Sequence, residues 1–127
     1  MYKKYIMRTL NMNTACPLRF LTDTFGGKWK LPIICILSSE KPQRYSAIKR
    51  RLGDITNMML SQSLKELEAA GMVSRTQYNE VPPRVEYSLT KKGKGALPML
   101  TAAAQWAVSE MESEGLSPYC GECCSTQ

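Results

Sequence analysis

The period of the apolar residues switches from helical to alternating at Gly71, and this switch constrains the fold more than any other feature. Before it the spacing is helical. In "NMMLSQSLKELEAAG" (57–71), Leu60, Leu64 and Leu67 fall on one face. After it the period drops to two. "MVSRTQY" (72–78) and "RVEYSL" (84–89) alternate, and the second run places Val85, Tyr87 and Leu89 on one side. "NEVPP" separates them, a short loop stiffened by Pro82 and Pro83. The pattern predicts a mainly α fold carrying a small β-hairpin.

The helical part divides at its stop signals. "CPLRFLTDTFGG" (16–27) reads as a short helix with Pro17 at its first position, Leu18, Leu21 and Phe25 on one face, and Gly26–Gly27 as its end. "KWKLPIICILSSEKP" (28–42) carries a stripe of Trp29, Ile33, Ile36 and Leu37, and Pro32 is tolerable there only in the opening turn. "RYSAIKRRLG" (44–53) buries Tyr45, Ile48 and Leu52 and ends at Gly53; Thr56 caps the next helix, 57–71. Beyond the hairpin, Thr90 caps a long final helix to about Glu114, which Pro98 should kink or split near its start. Its apolar residues, from Leu97, Met99 and Leu100 through Ala103, Ala104, Trp106, Ala107 and Val108 to Met111, run nearly all round. One small domain cannot cover so wide a stripe, which points to a second chain. The expected organisation is an extension (1–15), one domain (16–114) and a Cys-rich tail (115–127).

Charge narrows the partner. Of 17 Lys/Arg and 11 Asp/Glu, residues 1–51 hold 11 of the former and 2 of the latter. So basic a half suits a polyanion such as nucleic acid, although a solvated basic face has the same composition. No apolar run approaches the ~20 residues of a membrane span. The start, "MYKKYIMRTLNMN", lacks the ~7–15-residue apolar core of a signal peptide, so a cytoplasmic setting is expected. The chain has no histidine, which excludes Ser-His-Asp and Cys-His arrangements. "GGKWK" does not satisfy a phosphate loop. An enzyme is not expected.

Two helices joined by a tight turn, 44–52 and 57–70, fit a helix-turn-helix, and the hairpin that follows makes it a winged helix. In that arrangement the second helix enters the major groove while the hairpin lies along the neighbouring backbone or minor groove. With Leu60, Leu64 and Leu67 inward, the base-reading candidates are Asn57, Met58, Ser61, Gln62 and Lys65. Amides pair with adenine, and lysine reaches guanine or phosphate. Most helices also have a solvated polar face, so the argument leans on the neighbours. Arg44, Lys49, Arg50 and Arg51 cluster where a positioning helix approaches phosphates, and Arg84 stands beside the proline-stiffened loop, where little conformational searching is needed. "TKKGKG" (90–95) places three lysines at a helix start, where the dipole disfavours cations and a nearby phosphate would account for them.

Five cysteines, an odd number, argue against a secreted disulfide framework. Cys16 falls at a helix N-cap with Arg19 one turn on, both of which favour the reactive thiolate; an inert half-buried residue is the other reading. Cys35, within "PIICIL", reads as core. Cys120, Cys123 and Cys124 in "CGECC" could chelate zinc, but a closed site needs about four ligands, which would require Cys16, a carboxylate or a partner chain. A disulfide to Cys16 or a tail with incidental thiols are the alternatives; no other cofactor is implied. Two further functions stay open: a thiol or metal-binding protein acting through this tail, and a non-specific architectural DNA binder.

Three stretches, "CPLRFLTDTFGGKWKLPIICIL", "RYSAIKRRLGDITNMMLSQSLKELEAAGMVSRTQY" and "VPPRVEYSLTKKGKGALPML", together resemble the HxlR-type winged-helix regulators, relatives of the MarR group, over about residues 15–110. The resemblance implies a homodimer through the first and last helices. It further implies double-stranded DNA with an inverted-repeat operator as partner, and repression or activation of transcription. It also implies that Cys16 stands where several such regulators sense oxidants or electrophiles. One departure matters: many members are more basic at the position of Met58, so no operator sequence carries over.

Overall fold

The computed structural model describes residues 16–118, and their architecture is a helical domain with a three-stranded antiparallel sheet. In chain order the elements are α1 (Pro17–Phe25), α2 (Lys30–Ile36), β1 (Gln43–Arg44), α3 (Tyr45–Leu52), α4 (Asn57–Ala69), β2 (Val73–Tyr78), β3 (Arg84–Leu89), α5 (Lys91–Gly95) and α6 (Leu97–Ser113). The hairpin pairs Val73 with Leu89 at its base and Tyr78 with Arg84 at its tip. The fold is a winged helix-turn-helix, as the periodicity predicts.

The core forms where the helical and alternating patterns meet. α2 contributes Ile33, Ile34 and Ile36, followed by Leu37; α3 adds Ile48; α4 adds Leu60, Leu64 and Leu67; the sheet side adds Met72, Val73, Tyr87 and Leu89. Ile55 plugs the turn between α3 and α4 and is 3% exposed. Removing such a side chain from water is worth roughly 1.5–3 kcal/mol each, and α4 alone supplies three of them, Leu60, Leu64 and Leu67.

Four features differ from the sequence expectation. The second helix is shorter than 28–42: it ends at Ile36, where Ser38 donates from both its amide and its hydroxyl to the Cys35 carbonyl and closes a turn. Gln43–Arg44, past Pro42, instead pair with Tyr87 and Glu86 as a third strand, giving the order β1-β3-β2 and covering the outer edge of β3. Leu18 does not join Leu21 and Phe25 inside; it is 44% exposed, beside Phe20 at 58%. Cys35 is half-buried rather than interior. The final helix splits, as Pro98 allows: Ala96 ends α5 and begins α6, with Pro98 in the first turn, where a missing N–H costs nothing.

Candidate DNA-binding face

The helix that would read bases is fixed at both ends by its own sequence. Gly53 takes φ +77, a left-handed conformation that lets the chain leave α3 and turn at once. Thr56 then caps α4, its hydroxyl accepting from the Met59 amide at 3.1 Å. At the far end Gly71, φ +78, donates to Glu68 and Met72 donates to Leu67, each at 2.9 Å. These two bonds form a Schellman motif, and both Leu67 and Met72 are buried beneath it. Lys92 adds a cation: its ammonium donates to the Ala70 carbonyl at 2.9 Å, at the negative end of the α4 dipole. One of the three lysines of "TKKGKG" therefore has a structural acceptor on α4.

Along the outer face Asn57, Met58, Gln62 and Lys65 are exposed, Met58 at 76%, and Ser61 is half-buried. Two contacts orient this face. The Tyr45 hydroxyl, from α3, lies 3.0 Å from the Asn57 carbonyl, 3.3 Å from its Oδ1 and 3.1 Å from the Ser61 hydroxyl. Tyr45 was expected as a buried apolar residue; its polar tip instead ties α3 to the opening turns of α4. On the other flank Gln62 Nε2 donates to Glu66 Oε1 at 3.3 Å, and Glu66 Oε2 meets the Lys30 ammonium at 2.8 Å. The Lys30 hydrogen bond, helped by that from Gln62 and by the lysine's charge, holds the Glu66 carboxyl below its ordinary 4.5. Neither Lys30 nor Glu66 announced itself in the sequence, because their partnership crosses from α2 to α4.

Two clefts carry basic side chains, one beside α4 and one beside the wing. One, of about 400 Å³, is lined by Ser61, Lys65 and Glu68 from α4 and by Arg75 and Tyr87 from the sheet. Arg75 was not among the sequence candidates, yet the alternation held a signal. It shares its strand face with buried Val73, an unusual place for an arginine unless that face opens onto a groove. The other cleft, of about 440 Å³, lies between the wing and the start of α3 and is lined by Arg44, Tyr45, Ser46, Pro82, Pro83 and Arg84, among others. Arg84 begins β3, its guanidinium 4.2 Å from the centre of the Tyr78 ring, 3.2 Å from Glu80 and 3.7 Å from Glu86. At the loop tip Val81 is fully exposed and precedes Pro82 through a cis peptide bond. Arg50 is exposed and Lys49 and Arg51 half-buried in the last turn of α3, apart from both clefts.

Cys16 occupies the N-cap of α1 with Pro17 after it, is half-buried, and lies outside the two clefts. Cys120, Cys123 and Cys124 lie outside the described residues. Among the described residues no cluster of three or more Cys, Asp or Glu has the proximity to hold a metal ion, and no helix is long and apolar enough to cross a membrane.

A capped reading helix, a helix across its start, and a two-stranded wing beside basic clefts define a winged helix-turn-helix DNA-binding protein. Residues 24–115 match the family described as HxlR-like helix-turn-helix, and the chain belongs to that family of transcriptional regulators. It is 44% identical over 97 residues, 76% of this chain and 86% of the relative, to an HTH-type transcriptional regulator of Halalkalibacterium halodurans. Among solved structures it resembles the redox regulator HypR in its oxidised form, at 40% identity and TM-score 0.67, covering 74% of this chain and 96% of that one. It also resembles the reduced form of the transcriptional regulator YodB from B. subtilis, at 31% identity and TM-score 0.65, covering 76% and 94%.

Proposed function

We propose that this protein binds an inverted-repeat operator as a homodimer in the cytoplasm and changes transcription when Cys16 is oxidised or alkylated. The observation that carries the DNA-binding part is the outer face of α4, whose exposed Asn57, Met58, Gln62 and Lys65 ride on a helix capped at both ends. On this reading Asn57, Ser61, Gln62 and Lys65 meet base edges and Met58 meets a thymine methyl. Arg44, Lys49, Arg50, Arg51 and Arg84 hold the backbone, and Arg75 joins them through its cleft with Lys65. Residues 16–114 serve as the DNA-binding and dimerising unit. The exposed apolar surface of α1 and α6, Leu18, Phe20, Trp106 and Val108, supports pairing through these helices.

The redox part rests on Cys16 at a helix N-terminus, where the dipole favours thiolate, and on the likeness to HypR, described as a redox regulator. The test is a titration of DNA from upstream of the protein's own gene against random duplex, with and without diamide. Preference for the upstream DNA, lost on oxidation, restored by a thiol reductant and insensitive to diamide in Cys16→Ser, supports the full reading. Preference that survives oxidation removes the sensing role. Equal affinity for both duplexes defeats operator recognition there and favours an architectural DNA binder.

A further inference from the structure

The chain Lys30–Glu66–Gln62 bears on which base the reading helix selects, and the inference rests on Gln62 being a base reader. A carboxylate only accepts hydrogen bonds, so the atom that Gln62 turns toward Glu66 must be its amide nitrogen. Glu66 is in turn pinned by Lys30, whose side chain is only 12% exposed and stems from α2, the central helix of the core. The flipped amide would bring its carbonyl oxygen against the Glu66 carboxylate, two acceptors without a proton between them. Lys30 serves a second end: it neutralises a carboxylate, 48% exposed, that would otherwise repel DNA phosphate from the reading face.

We propose that Lys30 and Glu66 are specificity-determining positioning residues, fixing the Gln62 amide with its carbonyl oxygen turned away from Glu66 and toward the groove. Presented that way, the oxygen accepts from an exocyclic amine and opposes a keto group. In the major groove this selects adenine N6 or cytosine N4 against guanine O6 or thymine O4. The second hydrogen of the amide nitrogen remains to donate to adenine N7, which places adenine first. Neither Lys30 nor Glu66 needs to touch the base.

The experiment is selection of full-length wild-type protein and variants from a random duplex pool, followed by titration on the selected site with each base pair exchanged in turn. Gln62→Ala identifies the position it reads, as the one whose preference disappears. At that position wild type should favour adenine over guanine by roughly tenfold. Glu66→Ala and Lys30→Met should bring the two bases within about twofold, and Lys30→Arg should restore the preference. A tenfold preference retained in Glu66→Ala, with Gln62→Ala still abolishing it, overturns the clasp alone. A Gln62→Ala variant that changes no position's preference overturns the base-reading role and the clasp with it. Because Glu66 is a half-exposed helix-surface residue, its alanine variant tests the proposal even should Lys30→Met fold poorly.

Discussion

The two longest helices invert what their compositions suggest. α4, 13 residues, carries Asn57, Ser61, Gln62, Lys65, Glu66 and Glu68, yet buries Leu60, Leu64 and Leu67 to 1% exposure or less. α6, 17 residues and far more apolar, has no buried residue, and its Trp106 is 68% exposed. The difference lies in reach. Leu97, Met99 and Leu100 rest against the core at the start of α6. A 17-residue helix extends about 25 Å, so the rest passes beyond a core of this size. Hydrophobicity thus says that a surface wants covering, whereas stripe geometry decides whether its own chain can cover it.

Two substitutions probe that contrast most strongly. Leu64→Ala should cost about 2–5 kcal/mol in urea unfolding, because it opens a cavity where α4 meets the core. Trp106→Ala should leave the fold intact and act on association instead. If α6 is covered by a second copy, losing a central aromatic anchor should weaken the dimer by about 2 kcal/mol, near thirtyfold in its dissociation constant by sedimentation equilibrium. In the same measurement Leu64→Ala, a core defect, should leave the dissociation constant near its wild-type value. An unchanged dissociation constant would break the comparison and leave the exposed face of α6 to some other use.

The same contrast explains what the sequence disclosed. The stripes of α4 and β3, the caps at Thr56 and Thr90 and the stops at Gly53 and Gly71 are local signals, and each stands where the pattern placed it. The outward set on α4 follows from its inward set, so the candidate reading face was legible too. Interactions joining distant segments were not. Gln43–Arg44 become a strand only because β3 offers an open edge, and no property of "QR" requires it. Tyr45 reads as an apolar core residue, and its hydroxyl's grip on Asn57 and Ser61 depends on the angle between α3 and α4. Lys30 and Glu66 stand on different helices, 36 positions apart, and only the packing of α2 against α4 brings their charges together.

Capping gives a smaller way to sharpen the comparison. α4 begins on a threonine that bonds back to its third residue, whereas α6 begins on Ala96 with no side-chain cap. Thr56→Ala should cost about 1 kcal/mol, read as a lower unfolding midpoint. It should also weaken operator binding, because the first turn of α4 carries Asn57 and Met58. A Thr56→Ala variant with wild-type affinity would show that Tyr45 suffices to hold the first turn.

The smallest effect expected is that of acid on the Lys30–Glu66 pair, and its sign is fixed by the direction of the shift. The Glu66 carboxyl lies below its ordinary 4.5, chiefly through the Lys30 hydrogen bond. Its stabilising contribution is therefore complete above about pH 4.5 and fades as pH falls through the lowered folded value. Wild type and Lys30→Met should differ in urea midpoint at neutral pH and converge in acid, by a modest margin that salt reduces, since the carboxylate faces solvent. Across pH 5.5–8 the Glu66 carboxyl, held below 4.5, stays ionised, so base preference at the Gln62 position should be flat there. The chain has no histidine to titrate in that window. A preference that changed between pH 6 and 7 would therefore have to come from a thiol or the α-amino group, and would separate base selection from the Lys30–Glu66 pair.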